Sequence, residues 1–224
     1  MAGYQRWEMT PQQARLLQEE LRAGLILAGG PEEDVGLVGG ADVSFNRHNN
    51  KLYAAVVVLS YPRLEFVEVG TAVMTAAFPY IPGLLAFREG PAFDAAWARL
   101  RHRPQVVLFD GHGIAHPRGL GIAAHIGVLY DMPTIGVAKR KLVGRYDPPG
   151  PQPGDFTPLE YGGTQIGVAL RTKKRAKPVF VSPGHRFGFT EAVDFVLTCC
   201  RGYKLPEPTR LAHLEANKLR KQDL

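Results

Sequence analysis

Three carboxylates in this chain stand where carboxylates are expensive. Asp110 closes the apolar, β-rich run Val106-Val107-Leu108-Phe109 and is followed by Gly111-His112-Gly113, so a buried strand emerges there at the edge of a sheet. Asp42 follows Gly39-Gly40-Ala41 inside an otherwise apolar segment, where a carboxylate loses its hydration unless a partner replaces it. It either meets a cation or caps neighbouring backbone. Glu89 lies one turn past Leu85 and four residues before Phe93, near the inward side of a helical pattern. It either approaches a site or reaches out to solvent. Lys139 ends the run Gly-Val-Ala-Lys, and His213 stands in Arg-Leu-Ala-His-Leu-Glu-Ala-Asn, a late helical segment.

Composition bounds what these groups serve. The chain has 224 residues, of which 45% are hydrophobic, enough for one large α/β domain over residues 1–224 with a sizeable core. Its formal charge of +6 and pI near 9.4 favour a polyanionic partner. The two cysteines are adjacent, Cys199 and Cys200, which argues against a disulfide framework or a zinc site and for a reducing compartment. No apolar run reaches membrane-spanning length and no basic leader precedes an apolar stretch, so a soluble cytoplasmic monomer without membrane contact is expected.

The elements that hold these residues can be read in order. Thr10-Pro11 caps a first helix, and residues 31–34 break it off. Three strand-like runs follow at 37–45, 52–61 and 65–74, joined by the short polar connections 46–51 and 62–63, and pair as an antiparallel meander. Pro79-Tyr80-Ile81-Pro82-Gly83 is too rich in proline for a strand and holds an aromatic between rigid flanks, either covering apolar surface or free to wedge into a base stack. Residues 84–100 read as a helix that Gly90-Pro91 kinks or restarts. A strand ending at Asp110, a helix over 119–131 and a strand over 134–138 make a right-handed parallel βαβ unit. Residues 147–158 read as a proline and glycine loop. Strands at 165–170 and 178–181 flank a basic turn, Lys173 to Lys177, either a solvated tip or a phosphate contact. Helices at 190–200 and 208–220 complete the chain.

This order, three antiparallel strands and then parallel ones with helices on both faces, resembles the ribonuclease H-like mixed sheet, in which the first and fourth strands lie side by side. Asp42 and Asp110 are then neighbours. Two carboxylates that close repel, and a bound cation is one remedy. Oxygen donors select a hard ion, magnesium with manganese as substitute, and the chemistry this suits is phosphodiester hydrolysis.

Four long motifs carry a more specific likeness: Val-Gly-Gly-Ala-Asp-Val-Ser-Phe, Pro-Tyr-Ile-Pro-Gly-Leu-Leu-Ala-Phe-Arg-Glu, Asp-Gly-His-Gly-Ile-Ala-His-Pro-Arg-Gly-Leu-Gly-Ile-Ala-Ala-His and Gly-Val-Ala-Lys-Arg-Lys-Leu. Together, from about Met9 to His213, they resemble the endonuclease V family, the deoxyinosine 3′-endonucleases. The resemblance implies a DNA-repair enzyme that recognises hypoxanthine and cuts the second phosphodiester on its 3′ side, leaving a 3′-hydroxyl and a 5′-phosphate. Inosine in RNA is a further candidate substrate. It places Asp42, Glu89, Asp110, Lys139 and His213 in the catalytic set, with Asp42, Asp110 and Glu89 as metal-site residues. It makes Tyr80 a wedge filling the gap left by an extruded nucleotide, beside Pro82. Gly83, Leu85, Gly111 and Ile122 correspond to a base pocket flanked by His116, whose role stays open together with those of His112 and Arg118. A backbone N–H aimed at position six would accept hypoxanthine and reject adenine, at ~1–3 kcal/mol per unpaired group, roughly ten- to hundredfold.

Overall fold

The structure, a computed structural model, describes residues 7–31, 34–46 and 48–223. The expected break at 31–34 and connection at 46–51 therefore lie partly outside the described residues. Helix α1 spans Pro11–Ala23, and its start follows from the sequence. Thr10 Oγ1 accepts from the Gln13 N–H and the Gln13 carboxamide returns the bond to Thr10, a capping box with proline at the first helical position. Strands β1 (Leu37–Phe45), β2 (Lys51–Ser60) and β3 (Phe66–Thr75) follow, then α2 (Leu85–Trp97), β4 (Val106–Phe109), α3 (Ile122–Tyr130) and β5 (Thr134–Ala138). The chain continues with β6 (Phe156–Tyr161), β7 (Thr164–Leu170), β8 (Val179–His185), α4 (Phe189–Thr198) and α5 (Glu207–Gln222).

All eight strands form one mixed sheet in the order β3-β2-β1-β4-β5-β8-β7-β6. The first three pair antiparallel, β1 pairs parallel with β4, and β4 with β5. This is the expected ribonuclease H-like arrangement, with β1 and β4 adjacent at the centre. Alternation along each strand divides the core into two layers. Leu52, Ala54, Val56 and Val58 of β2 pack with α2, α3 and Trp7 on one face, while Val57 and Leu59 pack with α4 and α5 on the other.

Three local expectations give way. The helix read from residue 119 begins at Ile122, because Gly119 (φ +66°) bonds back to His116 O and Gly121 to Gly113 O, holding that stretch in a turn. Gly90-Pro91 does not restart the helix, since α2 runs through both. Residues 156–158, read as loop, open β6. Pro158 is tolerated because β6 is the last strand of the sheet, and Gly162-Gly163, both at positive φ, turn it into β7.

Candidate active site

The site forms at the carboxyl end of β4, where β1 continues past it. The Asp110 N–H donates to Ala41 O, so the two strands set Asp42 and Asp110 close together. Val106 and Leu108 pack on the α4–α5 face, and period-two alternation sends Asp110 the same way. Asp42 follows Val38 and Gly40 on that face. Gly40 decides what meets it: a Cβ there would overlap the Pro208 carbonyl, so its absence lets the start of α5 lie directly on β1. His213, about one and a half turns further along α5, then reaches Asp42, with Nδ1 2.7 Å from Oδ2.

Lys139, just past β5, ion-pairs with Asp110 Oδ2 and lies 3.0 Å from His213 Nδ1. His213 Nδ1 is 3.8 Å from Asp110 Oδ2. Both aspartate side chains are only 10% exposed. Burial, followed by the charge of Asp42, raises the Asp110 carboxyl above its usual range, against the lowering pull of Lys139 and His213. Glu89 is pushed well above the carboxylate range by burial, then by Asp42 and Asp110, with Arg88 opposing.

Asp42, Asp110 and His213 each offer a ligand atom within 4.8 Å of the others, a set of two hard oxygens and one imidazole nitrogen. The closeness of Asp42 and Asp110, whose mutual charge raises Asp110, and this donor set fit a divalent cation. Glu89, expected as a metal-site residue, lies outside the three-atom set because α2 covers the opposite face of the sheet from α5. It acts on the aspartates through charge. Asn217, one turn after His213, was missed by sequence reasoning. Its Nδ2 donates to His213 O at 2.8 Å and its Oδ1 accepts from Ser44 Oγ at 3.2 Å, tying α5 to β1. The i, i+4 spacing His213/Asn217 was the available signal. Asp42, Lys139, His213 and Asn217 open on a groove of about 1030 Å³ that runs along α5 past Ser44, His48 and Arg220.

The residues that the family likeness assigns to a base pocket also converge. Gly83, Leu85, Gly111, His116 and Ile122 line one small cavity next to Asp110, together with His112, Leu120 and Gln18. Both α2 and α3 begin here without a side-chain cap, so two helix N-termini face the same space. Burial, then the charges of Arg118 and His112, lower His116 to about 4, so its ring is neutral near pH 7. Tyr80, 66% exposed, and Pro82 stand on the surface beside this cavity's Gly83 edge and do not line it.

Sheet order and paired carboxylates at the sheet centre define a ribonuclease H-like α/β protein with a side-chain cluster that could hold a metal ion. A family model described as endonuclease V matches residues 19–214. Endonuclease V of Gloeobacter violaceus is 51% identical over 218 residues, 96% of this chain and 88% of the relative. The crystal structure of endonuclease V from Streptomyces avermitilis superposes with a TM-score of 0.91 at 43% identity, covering 97% of this chain and 96% of that one. That of Ciona intestinalis endonuclease V, in complex with a 23mer DNA containing an inosine followed by a ribo-adenosine, gives 0.84 at 30% identity, covering 96% and 100%. The chain belongs to the endonuclease V family.

Proposed function

We propose that this endonuclease recognises deoxyinosine in DNA and hydrolyses the second phosphodiester on its 3′ side, leaving a 3′-hydroxyl and a 5′-phosphate. The single observation carrying the proposal is the adjacency of the two sites: Asp110 belongs to the carboxylate cluster and Gly111, the next residue, lines the cavity between two helix N-termini that lack side-chain caps. The Ciona relative bound to inosine-containing DNA supports the same substrate.

Asp42 and Asp110 would hold a magnesium ion, with manganese as substitute, and His213 is placed to complete or brace the set. When bound, the ion orients water, raises its acidity and offsets charge on the phosphate. Glu89, buried where it interacts with both aspartates, would position that water or act as an outer-sphere ligand. Lys139 supplies a charge-assisted contact to the phosphate from its position beside Asp110. N–H groups at the two helix starts favour the acceptor at position six of hypoxanthine, and a close wall at position two excludes the amino group of guanine. Extrusion exposes that edge, and a weakly paired deaminated base is cheaper to unstack, with Tyr80 filling the gap. Lys173 to Lys177 and Lys139 to Lys141 add salt-dependent backbone affinity without base preference. A monomer of one domain in a reducing cytoplasm completes the proposal, and both cysteines are free.

The test is the cleavage position on a duplex carrying one inosine in a labelled strand, with magnesium. A single nick at the second phosphodiester 3′ to inosine and none in the undamaged duplex is expected. Equal cutting of both duplexes points to a nuclease of the same fold without lesion preference, and binding without any cut to a non-catalytic module. An inosine-containing RNA strand in parallel decides the second substrate.

A further inference from the structure

Gln18 lies on α1, remote in sequence from every residue of the cluster and cavity, and is 1% exposed. A buried carboxamide must find partners for two donors and an acceptor. Nε2 donates to Gly83 O at 3.0 Å and to Leu120 O at 3.2 Å, and Oε1 accepts from Arg118 Nε at 2.6 Å. Arg118 Nη2 donates to the same Gly83 carbonyl. Gly83 and Leu120 belong to separate segments lining the cavity, the turn before α2 and the turn before α3. One side chain from a third helix therefore joins the two.

The joint leaves no room for a side chain on the turn it holds. Gly83 has φ +79°, and a Cβ there would stand 2.6 Å from Arg118 Nη2. His116 closes the same ring: its Nδ1 accepts the Arg118 N–H at 3.2 Å, which puts the proton of the neutral imidazole on Nε2. Gly83 O thus has its position fixed by α1 and by the loop after β4.

We propose that Gln18 is a positioning residue for lesion recognition: its carboxamide fixes the Pro82-Gly83 turn against the start of α3, and this separation sets which purine edge the cavity accepts. The inference rests on the cavity being the base site proposed above. Hydrogen-bond selection weakens steeply when donor and acceptor are misaligned, and the purines differ here by single exocyclic groups. Releasing one wall relaxes the choice of base without touching the groups around the phosphate.

The experiment is steady-state cleavage by full-length protein of duplexes carrying inosine or adenine at one position. Gln18→Leu keeps the side chain's bulk and removes its three bonds. It is expected to cut the inosine-over-adenine ratio of kcat/KM by roughly tenfold, carried by KM on the inosine duplex, with kcat within about threefold and an unchanged magnesium dependence. If Gln18→Leu does not fold, Gln18→Glu, which keeps the acceptor for Arg118 and loses both carbonyl contacts, gives the same comparison. A folded variant with an unchanged ratio overturns the proposal, as does an equal loss on both duplexes, which marks a merely structural role. Gly111→Val separates the two levels, since a side chain there meets Ile122 Cγ2 at 2.6 Å and fills the cavity itself. Inosine preference surviving Gly111→Val overturns the base-site reading and this inference with it. Preference lost in Gly111→Val and kept in Gln18→Leu overturns the positioning role alone.

Discussion

Replacing Asp110 by asparagine separates metal binding from folding, because the carboxylate works against the protein when no cation is present. The three ligand atoms of the cluster lie within 4.8 Å of one another. At an effective dielectric of about 20, two like charges at that distance repel by ~3 kcal/mol. The ion pair with Lys139 offsets only part of this, since the lysine side chain is 35% exposed and such pairs contribute about 0–1 kcal/mol. Asp110→Asn removes both, so the metal-free variant should melt at the parent's temperature or above it. Magnesium reverses the ranking. An ion binding only the folded state at a hundred times its dissociation constant adds ~2.7 kcal/mol, roughly 5–10 °C for a domain of this size. Melting curves with excess chelator and with saturating magnesium should show that rise in the parent and lose most of it in Asp110→Asn, whose nicking disappears while inosine-DNA binding persists. A variant that keeps the full magnesium-dependent rise, or that still nicks, refutes the assignment.

Tyr80→Ala should weaken affinity for an inosine duplex by roughly ten- to hundredfold, the worth of one aromatic–base stack, with no change in magnesium dependence; unchanged lesion affinity argues against the wedge. His116 is 5% exposed and its folded value lies near 4 against an ordinary 6.5, so the unfolded chain binds the extra proton first on acidification. Its contribution is complete above pH ~6.5 and lost as pH falls toward 4, about 3 kcal/mol in all, so urea midpoints of the parent should fall through that window more steeply than those of His116→Gln. Parallel slopes contradict it. Gly40→Val places a side chain into the Pro208 carbonyl, and the expected cost is about 1–3 kcal/mol in denaturant titration together with loss of nicking, because α5 carries His213. Full activity in that variant would mean that α5 is not held where it lies.

In the proposed function, lesion choice and catalysis meet in the loop from Asp110 to Ile122. Asp110 leaves β4 toward α5 and the cluster, while Gly111 and Ile122 form part of the cavity under α2 and α3. The loop has two jobs because a glycine follows the carboxylate: a bulkier residue at 111 meets Ile122 and closes the cavity. On that reading, substitutions at 111 and at 110 should separate specificity from metal binding.

Strand runs, the N-cap before α1 and the βαβ unit were legible in the amino-acid sequence, because they follow from local periodicity and from pairing rules that operate over short connections, whereas the adjacency of Asp42 and Asp110 came from the likeness of the strand order to the ribonuclease H-like sheet. Strand β6 was hidden because an edge strand needs neither continuous apolar residues nor every N–H, so Pro158 read as a breaker. The motifs also put Glu89, His213 and Lys139 near one site. What they do not contain is which side of the sheet each helix covers. That depends on long crossovers and on bare positions such as Gly40, and it brought a His213 nitrogen to the two aspartates from α5 while Glu89 stayed in the other layer. Gln18 illustrates the same limit. Alone on α1 it is an ordinary polar residue, and only packing against Gly83, Leu120 and Arg118 gives its carboxamide three fixed partner atoms at the cavity wall. Periodicity decides which way a side chain points from its own element; tertiary structure decides what it meets.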